Sequence, residues 1–514
     1  MKLIRSVATI SFFTAGSRIF GFVREIIMAS YLGASIKSDA LVVAIKLPSI
    51  LRRIFAEGAF NTTFIPMFAR LLSGGNAKEA KTFAEEILSI LVFSLALIVL
   101  FVEIFIPYLM PVFAPGFKAT PERLYLAIEY TRLTFPFIFF ISLTALYSGI
   151  LNSFERFVAV AVSPMMGNIA IIATVFAMAI FNMQAGYAFA LGVCACGAVQ
   201  LLWVMIPAHQ HCVRLRLRWP TISPNVKKFL LLAGPAAAGS GIVQINILLD
   251  TVMASKLPAG GVSFIHYADR LNQLPLSMLG TAMGTALLPL MSKKAREGDR
   301  QGLIDSQNLA LEYALLFVVP AAIGLFLLAQ PLMAVLFERG DFGVRESAGS
   351  AEALMGLALG LPAYIMIKIF SSNFFSRQDT KTPVKYAIVS VVINFTLNIL
   401  LIDSLQHVGL TLATAIAAWI NAALLVGTLI KEKNFELSPR MKTFLPRLLA
   451  TSALTVVFIM LIKIPVLPWI SEAFAQKALC LTLLIGGSIG SFIVLARLTG
   501  ALDMKDLKLQ LKAV

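Results

Sequence analysis

Charge is sparse in this chain. Only 14% of its 514 residues are charged, and acidic residues number 27 against 43 basic ones. Four cysteines exclude a disulfide framework and a thiolate zinc cluster: Cys194 and Cys196 stand in one apolar run, while Cys212 and Cys480 are isolated. The four histidines show no metal-ligand spacing. A phosphate loop with its lysine and a Ser-His-Asp arrangement are both missing, which excludes an ATPase and the common hydrolytic chemistries. No cleavable leader is expected. The first apolar segment is too long for one and holds Arg18 and Arg24, so it is expected to stay as the first span.

Apolar residues make up 58% of the chain, and the mean hydropathy is +0.85. That composition demands an all-α polytopic membrane protein, because only helices and closed barrels satisfy their backbone in lipid. Barrel strands alternate with period two, whereas the apolar runs here are continuous over spanning length. Fourteen transmembrane helices are expected, near 6–32, 39–68, 83–113, 124–150, 157–181, 185–207, 228–254, 263–291, 308–336, 350–375, 383–402, 408–430, 445–468 and 476–497. With both termini in the cytoplasm, 27 of the 43 basic residues fall on the inner side and eight on the outer side. The net charge of +16 is then topology and contact with anionic lipid, not nucleic-acid binding.

The chain is organised around residues 17–70. Arg18, Arg24, Lys46, Arg52 and Arg53 fall inside the first two spans, where five cations cost about 12–18 kcal/mol on insertion scales. Glu57 is expected to offset Arg53 at i, i+4, and Asp39 to offset one more. The rest point to a cationic, water-filled cavity suited to an anion; the competing reading is that the arginines snorkel to an interface. An internal repeat supports the cavity. IIMASYLGASIKSDALVVAIKLP (26–48) matches DTVMASKLPAGGVSFIHYADRLNQLP (250–275), FIPMFAR (64–70) matches LLPLMSK (287–293), and SFERFVAVAVSP (153–164) matches SRQDTKTP (376–383), at nearly constant spacing. Two pseudo-symmetric six-helix lobes, 1–210 and 220–435, followed by two additional helices and a tail in 440–514, describe an alternating-access transporter.

Within the eighth span, Ser263, His266, Asp269, Arg270 and Gln273 enter the membrane. Arg270 is expected to join Arg18, Arg24 and Arg52, since a planar guanidinium binds oxyanions bidentately and stays charged when desolvated. Such a set suits a diphosphate; a structural Arg–carboxylate network between the halves is the alternative. Arg18 and Arg24 differ by about 240° around an ideal helix, so serving one ligand requires a bend, for which Gly16 and Gly21 are placed. Asp250, the pair Asn394 and Asn398, and Thr414 offer oxygen ligands for a monovalent cation such as Na⁺, or hydrogen bonds between helices. CVRLRLRW (212–219) alternates basic and apolar residues and is expected on the anionic leaflet, and the tail LDMKDLKLQLKAV as a short interfacial helix.

SRIFGFVRE, SDALVVAIKLPSILRRIFAEGAF, YADRLNQLP and FFSRQDTKTPVK closely resemble the mouse virulence factor family of bacterial lipid II flippases, within the multidrug/oligosaccharidyl-lipid/polysaccharide flippase superfamily. The resemblance covers essentially the whole chain. It implies two six-helix lobes around a cationic cavity, with spans 13 and 14 forming a groove for a polyprenyl tail. The implied substrate is lipid II, undecaprenyl-diphosphate carrying a disaccharide-pentapeptide, moved from the inner to the outer leaflet of the bacterial cytoplasmic membrane. Membrane lipids and cell-wall synthesis proteins are the other implied partners. On matching positions the family's functional residues are Arg18, Arg24, Arg52 and Arg270, the acids Asp39 and Glu57, and the cavity serines Ser17 and Ser263. Gln273 stands where many relatives carry Glu. A sodium site found in some members falls on Asp250, Asn394, Asn398 and Thr414; no other cofactor is implied. A drug/cation antiporter would need an acidic cavity, and a polyprenyl-phosphate enzyme would need paired carboxylates or a metal near larger outer loops. A non-transporting scaffold for cell-wall enzymes is the third alternative.

Overall fold

A computed structural model describes residues 2–466 and 474–502, excluding the side chains at 2–9, 55–57, 59, 211, 238–240, 242–243, 279–286, 466 and 474–475. Among the described residues the regular structure is helical, apart from one isolated bridge between Arg339 and Phe342. The tail beyond residue 502, expected as an interfacial helix, lies outside the described residues.

Two compact units emerge from the contacts: 1–263 with 339–342, and 264–338 with 343–514. The first holds α1 (Lys2–Leu32), α2 (Ile36–Arg52), a π-helical segment (Arg53–Phe60), α3 (Asn61–Ser73), α4 (Ala77–Phe113), α5 (Pro121–Thr134), α6 (Phe137–Ser153), α7 (Phe157–Ile180), α8 (Ala185–His211) and α9 (Pro224–Ser255). Next come α10 (Gly261–Glu297), whose first turn belongs to the first unit, α11 (Arg300–Leu327), α12 (Ala329–Phe337), α13 (Val344–Ser376), α14 (Lys381–Lys431), α15 (Pro439–Val466) and α16 (Phe474–Leu498). The described residues of the expected spans fall on helix, broken at Phe135–Pro136 in the fourth and at Leu328 in the ninth. Nine helices among the described residues are long and apolar enough to cross a membrane.

The spans differ from ideal rods where the chain's chemistry requires it. The second is α2, a π-helical stretch and α3 in sequence, with Pro48 and Pro66 inside the flanking helices. The eleventh and twelfth run together as α14 but reverse at Gln406, whose φ of 47° and ψ of −126° are non-helical. Tyr386 Oη and Thr428 Oγ1 lie 2.6 Å apart, and Ser390 Oγ donates to the Ala417 carbonyl at 2.9 Å. On a straight helix, residues 386 and 428 would be about 63 Å apart at 1.5 Å per residue. α14 is therefore an antiparallel hairpin.

Aromatic stacking builds the core of the first unit. Phe60, Phe64 and Phe68 stack along the chain at 4.9 and 5.5 Å, Phe83 of α4 joins at 5.7 Å, and Phe229 of α9 meets Phe60 edge-on. Burial of Val226 and Phe229 in this cluster ties α9, assigned by the sequence to the 220–435 lobe, into the first unit. In the second unit, Phe370, Phe374, Phe435, Phe444 and Phe492 bring α13, α15 and α16 onto α11.

The CVRLRLRW stretch is an extended strap on α4. Arg216 N–H donates to Glu85 Oε1 at 3.2 Å and Arg218 N–H to Ser89 Oγ at 3.0 Å. Two extended residues advance about 6.6 Å and four helical ones about 6 Å, so alternate strap amides meet successive turns of α4. That register buries Leu215 and leaves Arg214, Arg216 and Arg218 exposed.

Candidate functional site: the arginines of the first unit

α1 is one uninterrupted 31-residue helix, and Gly16 and Gly21 face a neighbouring helix from it. They admit α7. A Cβ at Gly16 would stand 3.3 Å from Met165 Sδ, and one at Gly21 would stand 3.5 Å from Asn168 Nδ2. Through this close approach Asn168, a lone amide in an apolar helix, reaches two groups of α1. Its Nδ2 donates to the Ser17 carbonyl at 3.1 Å, and its Oδ1 accepts from Arg24 Nη1 at 2.9 Å. The other end of the Arg24 guanidinium donates to Glu25 Oε1 at 2.5 Å. Glu25 is buried, Arg24 half-buried, and Arg18 exposed.

Arg52 ends α2, half-buried, where the backbone passes into the π-helical stretch. Both Arg24 and Arg52 lie within electrostatic range of Cys196 on α8, whose Sγ accepts from Gln200 Nε2 at 3.0 Å. α7 links α1 to α8: its Asn168 accepts from Arg24, and its Ser163 Oγ donates to Gln200 Oε1 at 3.4 Å. Arg53 opens that π-helical segment, four residues before Glu57, its expected partner. The Glu57 side chain lies outside the described ones.

Asp39 does not offset an arginine of α1 or α2. It is fully buried in the first turn of α2, and its carboxylate accepts four hydrogen bonds. Oδ1 takes the Ser263 amide at 2.8 Å and its hydroxyl at 2.6 Å; Oδ2 takes the Gly260 amide at 2.7 Å and Arg123 Nη2 at 2.6 Å. Arg123 Nη1 donates to the Leu257 carbonyl at 2.9 Å, with the guanidinium over the Phe117 ring at 4.1 Å. Asp39 is therefore the capping anion at the start of α10, charge-balanced by Arg123. Two expected cavity residues, Asp39 and Ser263, meet in this buried knot.

Arg270 lies half-buried on α10 in the second unit, and its neighbour Asp269 accepts from Gln273 Nε2 at 3.2 Å. The expected cation ligands are divided by unit. Asp250 belongs to the first and accepts from Asn246 Nδ2 at 3.1 Å. Asn394 and Asn398, both buried, lie on the first arm of the α14 hairpin, and Thr414 on the second. The Thr414 hydroxyl donates to the Leu410 carbonyl of its own helix at 2.8 Å, which leaves its oxygen lone pairs as acceptors. Sequence reasoning missed Glu25, Asn168 and Arg123 as partners. The Arg-Glu dipeptide at 24–25 was the available signal for the first; nothing local marks the other two.

The fold is that of transporters of the MOP superfamily. An inward-facing multidrug resistance MATE family transporter superposes with a TM-score of 0.65 at 18% identity, covering 81% of this chain and 95% of that one. An outward-facing one gives a TM-score of 0.56 at 16% identity, covering 84% and 96%. More similar is the structure described as lipid II flippase MurJ in an inward closed conformation, with a TM-score of 0.78, 26% identity, and coverage of 95% and 98%. Residues 28–479 match the family Lipid II flippase MurJ. A probable lipid II flippase MurJ of Rhizobium meliloti is 38% identical over 88% of this chain and 85% of its own length. The lipid II flippase MurJ of Burkholderia cenocepacia is 34% identical, covering 88% of each. The chain belongs to the lipid II flippase MurJ family, whose members are transporters rather than enzymes.

Proposed function

We propose that this chain moves lipid II, the undecaprenyl-diphosphate-linked disaccharide-pentapeptide, from the cytoplasmic to the periplasmic leaflet of a bacterial cytoplasmic membrane, with both termini cytoplasmic. The observation that carries this reading is Arg24: a guanidinium held inside an apolar helix assembly, oriented by Asn168 and balanced by the buried Glu25. A cation kept at that cost marks a ligand path. Arg18, Arg52 and Arg270 are the further residues proposed to bind phosphate, with Ser17 next to Arg18, while Ser263 belongs to the buried Asp39 knot. The diphosphate replaces water around the guanidiniums, while the polyprenyl tail stays in lipid beside α15 and α16. Binding energy that differs between inward and outward states shifts their populations and carries the headgroup across.

Asp250, Asn394, Asn398 and Thr414 carry hard oxygen donors of the kind that hold Na⁺ in transporters, and Na⁺ is the coupling ion proposed with this reading. Translocation of labelled lipid II in vesicles tests both parts. Arg24→Ala and Arg270→Ala are each expected to lower the rate about ten- to a hundredfold, as lost charge-assisted hydrogen bonds of about 1.5–3 kcal/mol dictate, while leaving membrane insertion intact. Full activity of both variants removes the diphosphate role. Equal rates in Na⁺ and K⁺, for the unaltered chain and Asp250→Asn alike, remove the sodium part alone.

A further inference from the structure

A second cationic recess lies at the end of the first unit that carries the 74–76 turn, the 154–156 turn and the strap. It encloses about 330 Å³, with Phe68, Leu72, Phe154 and Val213 among its walls and Lys81 and Arg214 at its polar edge. At about 30 Å³ per water, that is room for roughly ten waters, or for a phosphate ester with its first carbons. The two cations differ in how they are held. Glu85, buried beneath the strap, is taken by Arg218 Nη2 at 2.6 Å and by the Arg216 amide, so it reaches Lys81 only at 3.8 Å. Arg214 is exposed and makes no ion pair or side-chain hydrogen bond among the described residues. Arg156 adds a third positive charge, close enough to oppose the upward push that burial gives the Cys212 thiol in the recess wall. Within the first unit this end carries Arg70, Lys78, Lys81, Arg156, Arg216, Arg218, Lys227 and Lys228 besides Arg214, the basic excess expected of an inner leaflet.

We propose that this recess binds a lipid-borne phosphate, with Lys81 and Arg214 on the phosphate oxygens and the apolar walls against the adjoining carbons. A free phosphate satisfies the cations but leaves the apolar walls wet, so the chemistry selects a phosphate attached to a lipid. The shared group has two sources at an inner leaflet: a phospholipid headgroup and a polyprenyl diphosphate. The strap holds Arg214 in place, since its backbone is pinned to α4 two and four residues further along. This assignment stands apart from the arginines of α1 and α2.

Binding to the purified full chain in detergent, measured by native mass spectrometry, tests it with three probes: short-chain phosphatidylglycerol, a polyprenyl diphosphate and inorganic phosphate. The double variant Lys81→Gln/Arg214→Gln is expected to weaken one or both lipid probes at least about tenfold, and Lys81→Arg/Arg214→Lys to restore them. Inorganic phosphate is expected to bind far more weakly than either. Whichever lipid probe the double variant loses is the ligand. Unchanged binding of both lipids to the double variant overturns the site, as does inorganic phosphate binding as tightly as the lipids. Arg24→Gln keeps the two readings apart: its loss of polyprenyl diphosphate alone speaks to the transport site. Binding of phosphatidylglycerol only, abolished in the double variant, would leave the recess standing and count against the transport reading.

Discussion

Arg123 donates to Asp39 at 2.6 Å across 84 positions of sequence, with both side chains essentially excluded from solvent. Besides each other, the two side chains engage two amides, a hydroxyl and a carbonyl, and Arg123 Nε is the one buried donor of the pair without an acceptor among the described residues. Removing one partner strands a buried charge, which costs about 3–5 kcal/mol. Asp39→Asn is therefore expected to lower thermal stability in detergent markedly, and Asp39→Asn/Arg123→Gln to recover part of the loss. A single variant that melts like the unaltered chain would show that the pair is not coupled to the fold.

Asn168 is the residue whose loss separates orientation from charge. Asn168→Ala keeps the Arg24–Glu25 ion pair but removes the amide that fixes the guanidinium against α1. Translocation is expected to fall roughly tenfold, about the 1.4 kcal/mol of one charge-assisted hydrogen bond, with normal expression and membrane insertion. Undiminished transport would mean that Asn168 serves helix packing alone.

Asp379 supplies a pH signature outside the membrane. Its carboxyl is held below the ordinary range first by the Thr382 hydroxyl, then by the Thr382 and Lys381 amides and the Arg377 charge. A lowered folded value means the stabilisation is complete above the unfolded carboxyl range near 3.8 and is lost as pH falls through the folded value. Asp379→Asn is expected to be less stable than the unaltered chain at neutral pH, with the gap closing in acid. Thermal unfolding followed against pH reads this; a gap that is constant or widens in acid contradicts it.

The reversal in α14 is open to chemistry directly. With Tyr386→Cys/Thr428→Cys, a short bis-maleimide is expected to join the two positions within one chain, seen as protease-resistant linkage between the fragments. A continuous helix would hold them about 63 Å apart and give no such product.

Length and patterning of the apolar runs determined the helices, because a backbone in lipid must close its hydrogen bonds locally. For the same reason the arginines of residues 17–70 stood out: each is expensive where its sequence position puts it. What each arginine touches was decided only in three dimensions. Asn168 reaches Arg24 because α7 packs on α1 at Gly16 and Gly21, and nothing near Asn168 in sequence announces that contact. Asp39 reads locally as a counter-charge to its neighbours, yet Arg123 and the start of α10 claim it from 84 and 224 residues away. Local pattern sets the cost of a buried charge, whereas tertiary packing selects the partner that offsets it.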